Sequence, residues 1–133
     1  MAINFNPLPA AGDIVWCHFP QHEELGQPGP KPRPGLILNA FPALHAVLIA
    51  YSTSQKTGLG QIYPGEFVID DQLDTAGLCR PTKFDLNKIE KLPFTADWFQ
   101  IAPGFEKKRP LPKMGVLPPA FVSVMRSAWQ NRT

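Results

Sequence analysis

The stretch "GLILNAFPALHAVLIAYS", Gly35–Ser52, decides how this chain folds. It holds two short apolar runs, Gly35–Asn39 and His45–Ser52, bounded by glycine and proline. Near-continuous hydrophobicity over so few residues predicts central strands, buried on both faces or closed into a barrel. Upstream, "GDIVWCHF" (Gly12–Phe19) is a turn glycine followed by β-branched and aromatic residues, a further strand. Downstream, "YPGEFVID" (Tyr63–Asp70) predicts a strand after a Pro-Gly turn. "TKFDLNKIEKLPF" (Thr82–Phe94) alternates polar with apolar through Phe84 and Leu86, then slips before Ile89 and Leu92. That slip predicts a β-bulge, which re-aims side chains.

Five strands at short spacing, joined by Gly/Pro turns, read as a mainly β fold: a small antiparallel, SH3-like barrel. "MGVL" (Met114–Leu117) is a candidate last edge strand, and "GFEKKRPLPK" (Gly104–Lys113) a basic, proline-broken loop. Only the tail reads as helical. "PPAFVSVMRSAWQNR" (Pro118–Arg132) opens on prolines, with Pro119 suited to a first turn. Phe121, Met125 and Trp129, with Val122 beside them, make a stripe expected to dock on the barrel. The whole chain is expected to be one domain, with its core over residues 12–94 and a C-terminal extension over 95–133.

Composition agrees. The 133 residues are 44% hydrophobic, enough for one globular core and too apolar for a disordered chain. Sixteen prolines are about 12% against a usual ~5%, and favour short strands joined by structured loops. A net charge of +2 permits a local polyanion-binding patch without requiring one. Cys17 and Cys79 have neither Cys-x-x-Cys nor zinc spacing, and Cys17 lies in an apolar run. His18, His22 and His45 are scattered, so no metal or other cofactor is expected. Neither a signal-peptide pattern nor a membrane-length apolar run appears, and a cytoplasmic, membrane-free protein is expected.

The densest chemical feature is "PGPKPRPGLIL" (Pro28–Leu38). Lys31 and Arg33 each precede a proline, which biases them to extended geometry and presents them from a stiff loop. The loop is either a connector with incidental charges or a device for aiming one guanidinium. "GDIVW", the loop ending in "RPGLIL" and the strand ending in "YSTSQ" follow one another in an order that resembles the MazF/PemK family of bacterial toxins. "TKFDLNKIEKL" is similar to that family's fifth strand.

The resemblance covers about Gly12 to Leu92. It implies a usually homodimeric barrel that cleaves single-stranded RNA without metal, as the toxin of a type II toxin–antitoxin pair with a cognate antitoxin protein. In that chemistry the 2′-hydroxyl attacks the neighbouring phosphorus, leaving a cyclic phosphate and a 5′-hydroxyl. A cation, a base and an acid are needed at the phosphate. The family's Arg-Pro arginine falls on Arg33, and its threonine on Thr53, with Ser54, Gln55 and Lys56 continuing the RNA-binding run and Lys31 guiding the substrate. The base falls on Glu23, beside His22 in "QHEEL", or on Asp85 of the fifth strand. Aligning apolar positions instead puts Asn87 there, which is no base. Lys83 is placed with the RNA-binding residues, and a structural Lys83–Asp85 salt bridge is the other reading of that pair, since both point to one strand face. An alternative function keeps the barrel as a non-catalytic module for RNA or a protein partner, as gyrase poisons do.

Overall fold

The computed structural model describes residues 3–106 and 110–133. Its six strands are β1 (Asp13–Cys17), β2 (Arg33–Phe41), β3 (Ala46–Thr53), β4 (Glu66–Ile69), β5 (Thr82–Pro93) and β6 (Lys113–Val116). All neighbours pair antiparallel in the order β4-β5-β3-β2-β1-β6, which makes a curled half-barrel. The two apolar runs are β2 and β3 at the centre of the sheet, as their composition predicts. Lys107, Lys108 and Arg109 of the basic loop lie outside the described residues.

Strand alternation divides the apolar residues between two faces. Ile14 and Leu36 join Phe67, Ile69, Phe84 and Leu86 on one face. Val15 and Ile37 face the other way, with Cys17, Val47, Ile49, Leu92 and Phe99. β2 and β3 are therefore buried on both sides, which explains why their sequence hardly alternates. Cys17 is wholly buried there, and burial pushes its thiol well above the ordinary range.

A single helical turn, α1 (Leu73–Ala76), follows β4 and packs on β6 at the opposite edge of the sheet. Gly115 allows this contact, because a Cβ there would collide with the backbone of Thr75 and Ala76. The sequence reading did not include α1. Four residues between two turns carry too little periodicity to announce a helix.

Several boundaries differ from expectation. His45 caps a 3-10 turn over Pro42–Leu44 with φ of 49°, so β3 starts at Ala46. Tyr63 is exposed and precedes β4, where its amide donates to Glu66 Oε1 at 2.8 Å. A 3-10 turn over Pro119–Phe121 leads into α2 (Val122–Gln130). The docked stripe is Phe121, Val122, Met125 and Ala128. Trp129, expected in that stripe, is instead 37% exposed, with Arg132 Cζ 3.3 Å from its ring centroid. Three residues from Met125 lies Ala128 and four lies Trp129. The close approach of the helix to the sheet takes the small side chain.

The bulge in β5 falls where the slip predicts it. Ala50 pairs with Ile89, yet its neighbour Tyr51 pairs with Asp85, leaving Leu86–Lys88 looped out of the β3 ladder. Leu86 fills the core, and its amide donates to Gly65 O at 2.9 Å. Asn87 is tied by its side chain to Pro64 O at 2.9 Å and receives the Thr133 amide at 2.9 Å. Lys88 is left exposed.

Candidate nucleic-acid interface

The site forms where β2 and β3 stop pairing. Their ladder runs from Phe41↔Ala46 to Leu36↔Ala50 and ends there. Past Ala50, β3 follows β5 beyond the bulge, with Tyr51, Ser52 and Thr53 opposite Asp85, Phe84 and Lys83. β2 stays with β1, placing Pro34 opposite Trp16 and Arg33 opposite Cys17. The backbone groups facing the gap lose their ladder partners and have to find others. Side chains provide them. The buried Ser52 hydroxyl donates to the carbonyl of Pro34. Arg33 Nη1 donates to the Ser52 carbonyl at 3.2 Å and to the Tyr51 hydroxyl at 2.8 Å. Proline at 34 has no N–H for the gap to leave unsatisfied.

Arg33 is also held from below. Its Cζ lies 5.0 Å from the Tyr51 ring centroid, a cation–π distance. The loop before it is pinned at buried Gly29, whose amide donates to His18 O at 3.1 Å. The His18 imidazole bridges Gly29 O at 3.0 Å and Gln100 Oε1 at 2.8 Å. A Cβ at Gly29 would collide with the Phe19 carbonyl, so only glycine brings the loop this close. The stiffness inferred from the prolines thus has a tertiary counterpart. Among the described residues, Nη2 and Nε of Arg33 have no hydrogen-bond partner, and no carboxylate pairs with the guanidinium. The edge of the fork that suits a phosphate is unspent.

Two clefts meet at this arginine. One, of about 610 Å³, is lined by Thr53, Ser54, Gln55, Cys79 and Arg80 over an apolar wall that includes Trp16 and Phe105. The other, of about 700 Å³, is lined by His22, Glu23, Asn87, Lys88 and Glu90. Lys31, Arg33 and Tyr51 border both and form the ridge between them.

The expected residues therefore separate. Arg33, Thr53, Ser54, Gln55 and Lys31 share the first cleft. Thr53 Oγ1 accepts the Gln55 amide at 3.1 Å, which leaves the hydroxyl proton free to be donated. Glu23 lies across the ridge in the second cleft. Lys56 is exposed on the turn after β3 and lines neither cleft.

Asp85 also lines neither cleft. Its Oδ1 accepts the Asn87 amide at 2.9 Å and so supports the bulge. Lys83 requires a correction. It is 6% exposed, its Nζ lies 3.1 Å from Glu66 Oε1, and it donates to Gln61 O at 3.0 Å. A lysine so enclosed has no face for RNA. The alternative reading, a structural salt bridge, holds in kind but with Glu66 in place of Asp85, because β4 pairs alongside β5 and brings in an acid that strand alternation alone did not identify.

Three residues of the site were not anticipated: Tyr51, Arg80 and Lys88. Arg80, like Arg33, precedes a proline, a signal that was available in the sequence. Tyr51 reads as an ordinary strand aromatic, and Lys88 as a surface charge inside the slip. Among the described residues, no group of His, Cys, Asp and Glu could hold a metal ion, and no helix is long and apolar enough to cross a membrane.

No protein-family model matches the chain, and no curated protein matches its sequence. Among solved structures, the fold is similar to one described as "Endoribonuclease from Mycobacterial species". The TM-score is 0.55 over 95% of this chain and 91% of that one, at 16% identity. At that identity the likeness shows a shared fold, and the site is read from this chain's own residues.

Proposed function

We propose that this protein is a metal-independent endoribonuclease that cuts single-stranded RNA by attack of a 2′-hydroxyl on the adjacent phosphorus. The observation that carries this reading is Arg33: fixed through one nitrogen, unpaired with any carboxylate among the described residues, and open to a cleft that also holds the Thr53 hydroxyl. As the phosphorane forms, negative charge grows on its equatorial oxygens. A preorganised guanidinium stabilises that charge without reorganising at the moment of reaction. Thr53 donates to a phosphate oxygen or to the leaving 5′-oxygen. Glu23, reaching the ridge from the other cleft, takes the 2′-hydroxyl proton. Lys31, Ser54 and Gln55 hold the strand along the first cleft, and Lys56, outside both clefts, steers its approach. The products are a 2′,3′-cyclic phosphate and a 5′-hydroxyl.

The fold-level likeness to an endoribonuclease and the ordered family motifs support the biological setting. In that setting the chain is a sequence-specific toxin, active as a homodimer and neutralised by a cognate antitoxin protein. A small acidic protein encoded beside it, binding it tightly on co-expression, is the expected partner.

A second reading is a barrel that binds RNA without cutting it. It draws on one observation: no described acid or imidazole is hydrogen-bonded to Arg33 or Thr53. Single-turnover cleavage of a mixed-sequence RNA decides between the two. Arg33→Ala is expected to lower the rate by roughly 10²-fold or more, as loss of a transition-state donor does. Arg33→Lys is expected to restore little, since an ammonium lacks the planar fork. Cleavage is expected to persist in EDTA. Wild-type rates in Arg33→Ala, or activity that EDTA removes and Mg²⁺ restores, would overturn the mechanism.

A further inference from the structure

The Tyr51 ring carries two cations. Arg33 Cζ lies 5.0 Å from its centroid and Lys88 Nζ 4.9 Å. The Phe19 ring meets it edge-on at 5.4 Å and 64°, and its hydroxyl accepts from Arg33. With a guanidinium, an ammonium and a phenyl edge already on it, Tyr51 is not a free stacking surface for a nucleobase. It acts as the post on which two positive charges are hung.

Bringing like charges together costs Coulomb energy, which cation–π attraction offsets only in part. A protein normally relieves such a pair with a carboxylate. Glu23 and Glu90 line the same cleft as Lys88, yet no carboxylate pairs with either cation among the described residues. Lys88 is there because of the β5 bulge, which loops Leu86–Lys88 out of the ladder just where Tyr51 begins its new pairing. Since both cations lie about 5 Å from one ring centre, they are at most twice that apart, a span that adjacent phosphates of a single strand bridge.

We propose that Lys88 is a second phosphate-binding residue of this site and that Tyr51 is the positioning residue that gathers it with Arg33. A single-stranded nucleic acid then crosses the Tyr51 ridge from one cleft to the other. One phosphate rests on Arg33 and an adjacent one on Lys88. This rests on the reading of the clefts as an RNA site, but not on cleavage.

The test is the salt dependence of binding to a mixed-sequence single strand with 2′-fluoro sugars, which lacks the attacking hydroxyl. For a single strand the slope of log K against log salt is about −0.7 per phosphate neutralised. Lys88→Gln is expected to weaken binding and to flatten that slope by about 0.7. Its melting curve should be unchanged, because the side chain is exposed. Tyr51→Leu, which removes both contacts, is expected to weaken binding several-fold more than Tyr51→Phe, which keeps the ring. Wild-type affinity and slope in Lys88→Gln would overturn the proposal, as would Tyr51→Leu binding like Tyr51→Phe. If the wild type cuts RNA and Lys88→Gln changes neither affinity nor slope, this inference falls and the nuclease reading stands. If Lys88→Gln flattens the slope but the wild type never cuts, the reverse holds.

Discussion

The two ends of the β2–β3 pair are built on opposite terms. From Leu36↔Ala50 to Phe41↔Ala46 the two strands stay paired, interrupted only by a one-residue bulge at Leu38, and Ile37, Val47 and Ile49 are at most 1% exposed. Beyond Ala50 the strands part, and side chains do the work of the ladder: Ser52 on Pro34 O, Arg33 on Ser52 O. A complete ladder consumes its backbone groups and leaves nothing for a ligand. An opened ladder must import polar side chains, and those stand at the edge of a cleft with donors to spare. Buried apolar packing is concentrated at the first end, and unspent polar donors at the second.

The comparison breaks most visibly at the paired end. Ile49→Ala is expected to cost about 2–5 kcal/mol of stability, as large-to-small core changes do, while the cleavage rate per folded molecule stays at the wild-type value. Denaturant unfolding read beside single-turnover kinetics checks both halves. A large loss of rate in the folded fraction would show that the two ends are not separable.

The next largest effect belongs to Lys83. Lys83→Met removes one member of an enclosed pair and leaves Glu66, at 13% side-chain exposure, without its ammonium. A loss of about 3 kcal/mol is expected, the low end for breaking a buried pair because Glu66 keeps some contact with water. RNA affinity at low salt should not move. A strong fall in affinity with unchanged stability would return Lys83 to the binding surface.

Ser52→Ala acts on the opening itself. It leaves the Pro34 carbonyl without its hydroxyl donor, for a cost of about 1–2 kcal/mol. Unlike Ile49→Ala, it should also slow cleavage in the folded fraction, since the backbone carrying Arg33 is no longer clamped to β3. A purely thermal effect would place the clamp outside the chemistry.

Thr53→Ala sharpens the picture from the side of the cleft. One hydroxyl donor is lost, for an expected drop of about tenfold in cleavage, the worth of a single hydrogen bond. Melting and binding of the uncleavable strand should hardly change, because Thr53 is half-buried at a strand end and its bond to Gln55 is local.

The smallest effect is on the cysteines. Cys79 is exposed at the first cleft and Cys17 is buried on β1. Burial holds the Cys17 thiol protonated, so an alkylating agent is expected to label only Cys79 in the native protein and both after denaturation. Rapid native labelling of Cys17 would mean that β1 opens more readily than its packing implies.

Much of this was legible in the residues. The lack of alternation in β2 and β3 announced central strands, and the slip between Leu86 and Ile89 announced the bulge. The prolines around Arg33 announced a presented guanidinium. What escaped were features set by partners distant in sequence. The helix stripe was read from spacing alone, but packing chose Ala128 over Trp129. Lys83 and Asp85 share a strand face, yet the strand laid beside them brought Glu66.

By itself the sequence determined the number and character of the central strands, the stiffness of the loop before Arg33 and the position of the bulge. These follow from local constraints: side-chain periodicity, the fixed φ of proline and the count of residues in a ladder. Only the tertiary structure decided where the β2–β3 ladder opens and which ring lies beneath Arg33. It also decided that Lys88 shares that ring while Lys83, on the same strand, is turned inward. Those outcomes depend on which strands pair and in what register, and a shift of one residue in that register would exchange every face.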